Sequence, residues 1–322
     1  MRFAFKSDKE VLWEKLEGSI SLRRWDATQA AWINFGIPTI DPPGSAPETT
    51  LAGFFEEIEL FSDVALDEIQ NTPIMVSRGS VPDLVFREAV YWLHKSIHVL
   101  GASESHVDLG MPTWSLSAAY QSGFFAARSI MAFLGFAVGE VQGVSVVVDL
   151  CRNLHGLSPR KVAELGAFEE ELSLRSLGFL FGHVHIWRLF QRLLRVVTRV
   201  PWPTGWTTFF HHLEIADLTK QRHSLHYHLG FWVMNDMHES VHSEAFGNVS
   251  FTGEARELFD SNDDNFSLAA AFTLSRMALS LFQSFGSVTN RLASEQALLS
   301  GVCHQDRHPL FSEALLSPLV KS

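Results

Sequence analysis

The sequence predicts a mainly α-helical bundle, and three observations carry that expectation. Apolar residues recur at three- and four-residue spacing in several long stretches, most of them opened by a proline or a capping residue. The β-branched run Val146-Val147-Val148, flanked by glycines, is the only strand candidate. No internal repeat at a fixed period and no low-complexity tract occurs, which removes solenoids and propellers. The 322 residues are 46% hydrophobic and 12% aromatic, enough for a packed core that needs no disulfide or metal staple.

Lys9 to Leu16 and Thr28 to Asn34 read as short helices, and Pro42-Pro43-Gly44 marks a break after them. From Leu51 to Gln70, Leu51, Phe54, Phe55, Ile58 and Phe61 keep mostly helical spacing with Glu56, Glu57 and Glu59 opposite, giving an acidic amphipathic helix. Pro82 suits the first turn of a helix to Leu100, with Gly101 as its stop. Ser115 to Phe136 repeats Leu116, Ala119, Tyr120, Gly123, Ala127 and Ile130 with small residues between, which permits close helix packing. Val141 to Leu150 is a short strand or an extended crossing. Ser158-Pro159 caps a helix to about Leu172, and Ser173 to Arg199 continues as helix. Beyond the turn at 200–205, a helix runs from about Trp206 to Trp232 with a break near Asp217. A core-closing helix follows the cap-like Ser261-Asn262-Asp263-Asp264 and uses Phe266, Ala269, Leu274, Met277, Leu281 and Phe285.

Charge and targeting narrow the function classes. The 25 Lys and Arg against 36 Asp and Glu give a net charge of −11, which excludes a generic basic nucleic-acid coat but allows one local basic groove. Cys151 and Cys303 lie far apart, so a cysteine zinc site is excluded and a reducing compartment is expected. The first ten residues are charged too early for a secretory signal, and Phe124 to Leu150 is interrupted by Arg128, Glu140 and glycines. The expectation is a cytoplasmic protein with no membrane anchor.

Fifteen histidines are many for this length, and two motifs use them. His238-Glu239-Ser240-Val241-His242 matches the pattern in which one helix places two imidazoles on zinc and a Glu acts as general base. The segment is polar, however, and its third ligand is undefined, Glu254 and Glu257 being available only by count. The second motif is Arg222-His223-Ser224-Leu225-His226-Tyr227-His228. Arg suits a phosphodiester because it holds phosphate bidentately, and His shuttles protons to and from ribose or leaving oxygens, with no metal required. His226 shares a helix face with Arg222, and His228 competes with it for the catalytic role. A third feature is the stripe Arg188, Arg192, Arg195 and Arg199, at offsets that fall on one helix face with no acidic residue between Ser173 and His212. It suits a phosphate backbone, or equally a solvated face over buried Trp187, Phe190, Leu194 and Val197.

The run Tyr120-Gln121-Ser122-Gly123-Phe124-Phe125-Ala126-Ala127-Arg128 resembles the second helix of HEPN-superfamily proteins, and Arg222, polar His223 and His228 resemble the family's Arg…His motif on a later helix. The resemblance covers roughly residues 82 to 286. It implies a HEPN-like helical bundle over 81–290; the segment at about 140–204, long for a minimal domain of that family, is expected as an inserted helical segment, and 1–80 and 291–322, which the resemblance does not cover, as an N-terminal helical extension and a C-terminal tail. It further implies a metal-independent endoribonuclease that acts on RNA as a homodimer without a cofactor, often alongside an antitoxin or defence-system partner. Arg222 and His228 are the expected catalytic pair, with His226 and His223 beside them, and Arg188, Arg192, Arg195 and Arg199 the RNA contacts. The alternatives are a zinc hydrolase using His238, Glu239 and His242, and a non-catalytic nucleotide-, RNA- or protein-binding scaffold.

Overall fold

A computed structural model describes residues 7–38, 51, 55, 74–77, 79–109, 111–141, 143–227 and 266–286. In chain order the elements are α1 (Asp8–Ser19), β1 (Arg23–Arg24), α2 (Trp25–Phe35), β2 (Ile74–Ser77), α3 (Val81–Asp108) and α4 (Pro112–Phe133). They continue with β3 (Phe136–Val141), β4 (Val144–Cys151), α5 (Pro159–Leu165), β5 (Phe168–Ser176), α6 (His183–Val196), β6 (Val197–Thr198), α7 (Thr204–His212), α8 (Ile215–Tyr227) and α9 (Phe266–Gly286). The described residues are mainly helical, as the periodicity predicts. They group into two compact units, Met1–Glu88 with Met131–Val200, and Ala89–Ile130 with Pro201–Ser322.

The first unit is built on an antiparallel sheet in the order β2-β5-β4-β3. The strand expected at Val146 is β4, but the other three strands of its sheet are a correction to a reading with that one strand candidate. The segment at about 140–204, expected to be a helical insert, holds most of this sheet together with α5 and α6. Ser173, expected in a helix, lies in β5, where Phe168, Leu172, Leu174 and Ser176 are buried. Three consecutive glutamates, Glu169 to Glu171, hide that alternation in the sequence, and pairing with β4 and β2 decides it.

Caps account for the helix ends here. Ser7 accepts from the Glu10 N–H to open α1, and Ser158 accepts from the Lys161 N–H to open α5. Helix α5 stops at Gly166, where φ is +78°, well short of Leu172. Gly135, also at φ +78°, turns the chain from α4 into β3, and a Cβ there would stand 2.7 Å from the Cys151 Sγ. Trp32 anchors the core: it is fully buried, donates its ring N–H to the Phe133 carbonyl at 2.8 Å, and meets Phe86 and Phe168 edge to face.

The second unit contains the greater part of α3 and α4 with α7, α8 and α9. Gly101 is not the stop expected for α3, which continues to Asp108. Gly101 is buried within the helix, and Ser103 in the next turn donates to the Ser115 carbonyl of α4 at 2.7 Å, so packing holds the extra turns. The small residues of α4 do allow close approach: Gly123 lies against Ala271 of α9, a Cβ there coming 3.3 Å from the Ala271 Cα. Ser96, Ser122 and Ser275 tie α3, α4 and α9 together with buried hydroxyl bonds at 2.8 to 3.0 Å. The break expected near Asp217 in the helix from Trp206 to Trp232 falls at Leu213 and Glu214, between α7 and α8, and residues 228–232 lie outside the described residues. Helix α9 is the one described helix long and apolar enough to cross a membrane, and 83% of its apolar window is buried.

Candidate active site

Helix α8 presents the Arg222 motif. Leu218 is its buried anchor, and Arg222, four residues later, follows it on the same face. The Arg222 guanidinium lies over the Tyr120 ring of α4, 5.7 Å from its centroid, and Tyr120 is itself buried. Arg222 is half-buried, and its Nε, shielded from solvent, has no hydrogen-bond acceptor among the described residues. A planar cation held against a ring with a donor left unmatched has the chemistry of an oxyanion clamp. His223, the next residue, is exposed.

The other members of the motif are less defined. The backbone of His226 belongs to α8, whereas its side chain and the whole of His228 lie outside the described residues. The same holds for His238, Glu239 and His242, and for the acidic helix expected between Leu51 and Gln70, of which only Leu51 and Phe55 are described, both fully buried. Among the described residues no group of three metal-ligating side chains converges.

A cation not singled out from the sequence sits in the same unit. Arg276 of α9 is nearly inaccessible, with its guanidinium 5.7 Å from the Trp206 ring and 5.9 Å from the Phe272 ring, and burial lowers its pKa to about 10. Its signal was available: it is the lone charge in α9. Arg128 of the Ala-Ala-Arg run packs its guanidinium on Trp92 at 4.1 Å. Trp92 stacks on Phe125 at 5.3 Å, and Lys95 reaches to 4.4 Å over the Phe125 ring.

The arginine stripe belongs to the first unit, and most of it is engaged within the protein. Arg188 bonds the Glu17 carboxylate at 3.2 Å and lies over Trp13, while Arg192 donates to the Glu17 carbonyl at 2.9 Å. Arg199 is not on the helix: α6 ends at Val196, Val197 and Thr198 pair with β1, and Arg199 turns at φ +60° to bond Asp26 at 2.9 Å. Arg195 is exposed and has no such partner among the described residues. His185 packs on Trp13, Phe179 and Phe181. Its pKa is lowered by burial and, after that, by Arg188.

No protein-family model, no curated protein and no solved structure matches the chain.

Proposed function

We propose that the protein is a metal-independent endoribonuclease of HEPN type. The observation that carries this reading is the Arg222 guanidinium, fixed over Tyr120 with a shielded Nε that lacks an acceptor. A scissile phosphate supplies that acceptor, and Arg222 then stabilises the charge that develops on the phosphate oxygens as the ribose 2′-hydroxyl attacks. His228, or His226 in its place, moves the proton on or off the reacting oxygens. RNA is the substrate, the working unit is a homodimer in the cytoplasm, and the setting is a toxin or antiviral defence system with a cognate partner. Arg195 is the member of the stripe left to meet a phosphate backbone.

The test is cleavage of a mixed pool of single-stranded and structured RNA by the purified protein in EDTA. Arg222→Ala is expected to lower the rate by about 10²- to 10³-fold, the usual loss on removing one electrostatic stabiliser. His228→Ala and His226→Ala decide which histidine transfers the proton. Undiminished cleavage by Arg222→Ala overturns the reading, and activity that vanishes in chelator and returns with zinc transfers it to His238, Glu239 and His242.

A further inference from the structure

A second polar site, which involves none of the residues around Arg222, lies in the first unit. A pocket of about 170 Å³ opens on one face of the sheet where α1 ends. The strand register explains its lining. Asp149 of β4 stands opposite Ser173 of β5, and Val147 opposite Arg175, so alternation delivers Asp149, Ser173 and Arg175 to the same face. The register then slips between Asp149 and Cys151, a β-bulge of the sort that re-aims side chains beside a site. Glu169, Asn153, Ser19 and Ser21 complete the polar lining.

The charges do not cancel. The Asp149 carboxylate is satisfied from behind by the fully buried Arg23, at 2.8 and 3.0 Å. Glu169 is paired with Arg152 at 3.0 Å. Arg175 is the one guanidinium lining the pocket, and although Asp149 is near enough to act on it, no carboxylate is within ion-pair distance among the described residues. Its Nε donates to the Ser173 hydroxyl at 3.2 Å, and its terminal nitrogens have no acceptor among the described residues. Asp149 and Glu169 thus each have a guanidinium partner of their own, and Arg175 is the lining cation that pairs with neither. Burial also lowers the Arg175 pKa, the mark of a cation that has given up hydration an anion would replace. At about 170 Å³ the cavity lies below the roughly 300–1,000 Å³ usual for drug-sized ligands, which suits a small molecule.

We propose that this pocket binds a small oxyanion, a carboxylate or phosphate on a skeleton of a few heavy atoms, held by the terminal nitrogens of Arg175 with the Ser173 hydroxyl and the Asn153 amide beside it. Isothermal titration of the full chain with inorganic phosphate, malonate and glycolate tests this. At least one probe is expected to bind saturably at one site per chain. Arg175→Gln weakens binding at least tenfold, Ser173→Ala weakens it several-fold, and Arg222→Ala leaves it unchanged. The order of the three probes separates a phosphate site from a carboxylate site. Absence of saturable heat with every probe overturns the proposal, as does equal binding by a folded Arg175→Gln chain. If Arg175→Gln does not fold, Ser173→Ala decides, and unaltered affinity in that variant overturns it. Because the readout is binding and not RNA cleavage, its failure is distinct from failure of the nuclease reading.

Discussion

Arg23 and Asp149, 126 residues apart in the chain, form a pair in which one terminal nitrogen of the fully buried Arg23 donates to both oxygens of the partly exposed carboxylate while the other donates to the Leu134 carbonyl at 2.8 Å. Burial pulls the Arg23 pKa down, but the Asp149 charge, with Cys151 and the Asp149 hydrogen bond behind it, outweighs that and the net shift is upward, so the guanidinium stays charged without solvent. Asp149→Ala strands that charge, and urea denaturation is expected to show a loss of about 3–5 kcal/mol. Asp149→Asn keeps the hydrogen-bond acceptor and costs less. The apolar double variant Arg23→Met with Asp149→Leu is expected to recover much of the loss, since replacing both partners removes the uncompensated charge.

Arg222 and Tyr120 separate positioning from charge. Arg222→Lys preserves the positive charge but not the planar fork, so it is expected to retain folding while most RNA cleavage is lost. Tyr120→Leu keeps an apolar side chain at this buried position but removes the ring under the guanidinium. Its expected signature is a drop in cleavage with a melting temperature within a few degrees of the parent, measured side by side.

The two basic contacts on α6 differ in what they support. Arg192→Ala removes the bond to the Glu17 carbonyl and is expected to cost about 1.5–3 kcal/mol by denaturation, as for hydrogen bonds to charged groups. Arg195→Glu, at an exposed position, is expected to leave stability within about 0.5 kcal/mol. In a filter-binding assay at low salt it weakens RNA binding and flattens the salt dependence.

His94 on α3 is half-buried, and burial holds its pKa below the ordinary 6.5. The folded chain therefore resists a proton that the unfolded chain accepts. Stability is full above about pH 6.5 and falls as the pH drops toward the folded pKa. His185 shifts in the same direction, by burial and then by Arg188. Melting curves at pH 7.5 and 5.5 are expected to show an acid loss that His94→Gln reduces, and an unchanged loss in that variant would assign the effect elsewhere.

Gly123 is set by the backbone it faces. Gly123→Val forces a side chain against the Ala271 backbone and is expected to destabilise by about 1–3 kcal/mol. Gly205→Ala, where nothing stands within 4 Å of an added Cβ, is the control and is expected to be neutral or mildly stabilising.

The helices were legible where the signal is local. Ser158-Pro159 announces α5 through its own cap, and the period of Phe266 to Phe285 announces α9 through its own buried face. What escaped is what depends on distant partners. β5 shows its alternation only once β4 and β2 pair with it, and Gly101 passes for a stop until Ser103 finds Ser115. The candidate site divides in the same way. Arg222 and Tyr120 were both singled out from sequence motifs, but that one lies over the other is a tertiary fact. The stripe on α6 read as a free basic face because nothing near Arg188 reveals that Glu17, 171 residues earlier, turns toward it.

The short parallel ladder of Arg23 with Val197 also bears on synthesis. The two lie 174 residues apart, a stretch that a ribosome adding about 5–20 residues per second needs roughly 9 to 35 s to make. Trp13 is made just before that interval and Trp32 early in it, and their packing partners Phe133, Phe168 and Phe181 follow about 100 to 170 residues later. The segment around Trp13 and Trp32 therefore waits for residues made much later before it can bury its rings, and it is a segment that a nascent-chain chaperone has reason to hold.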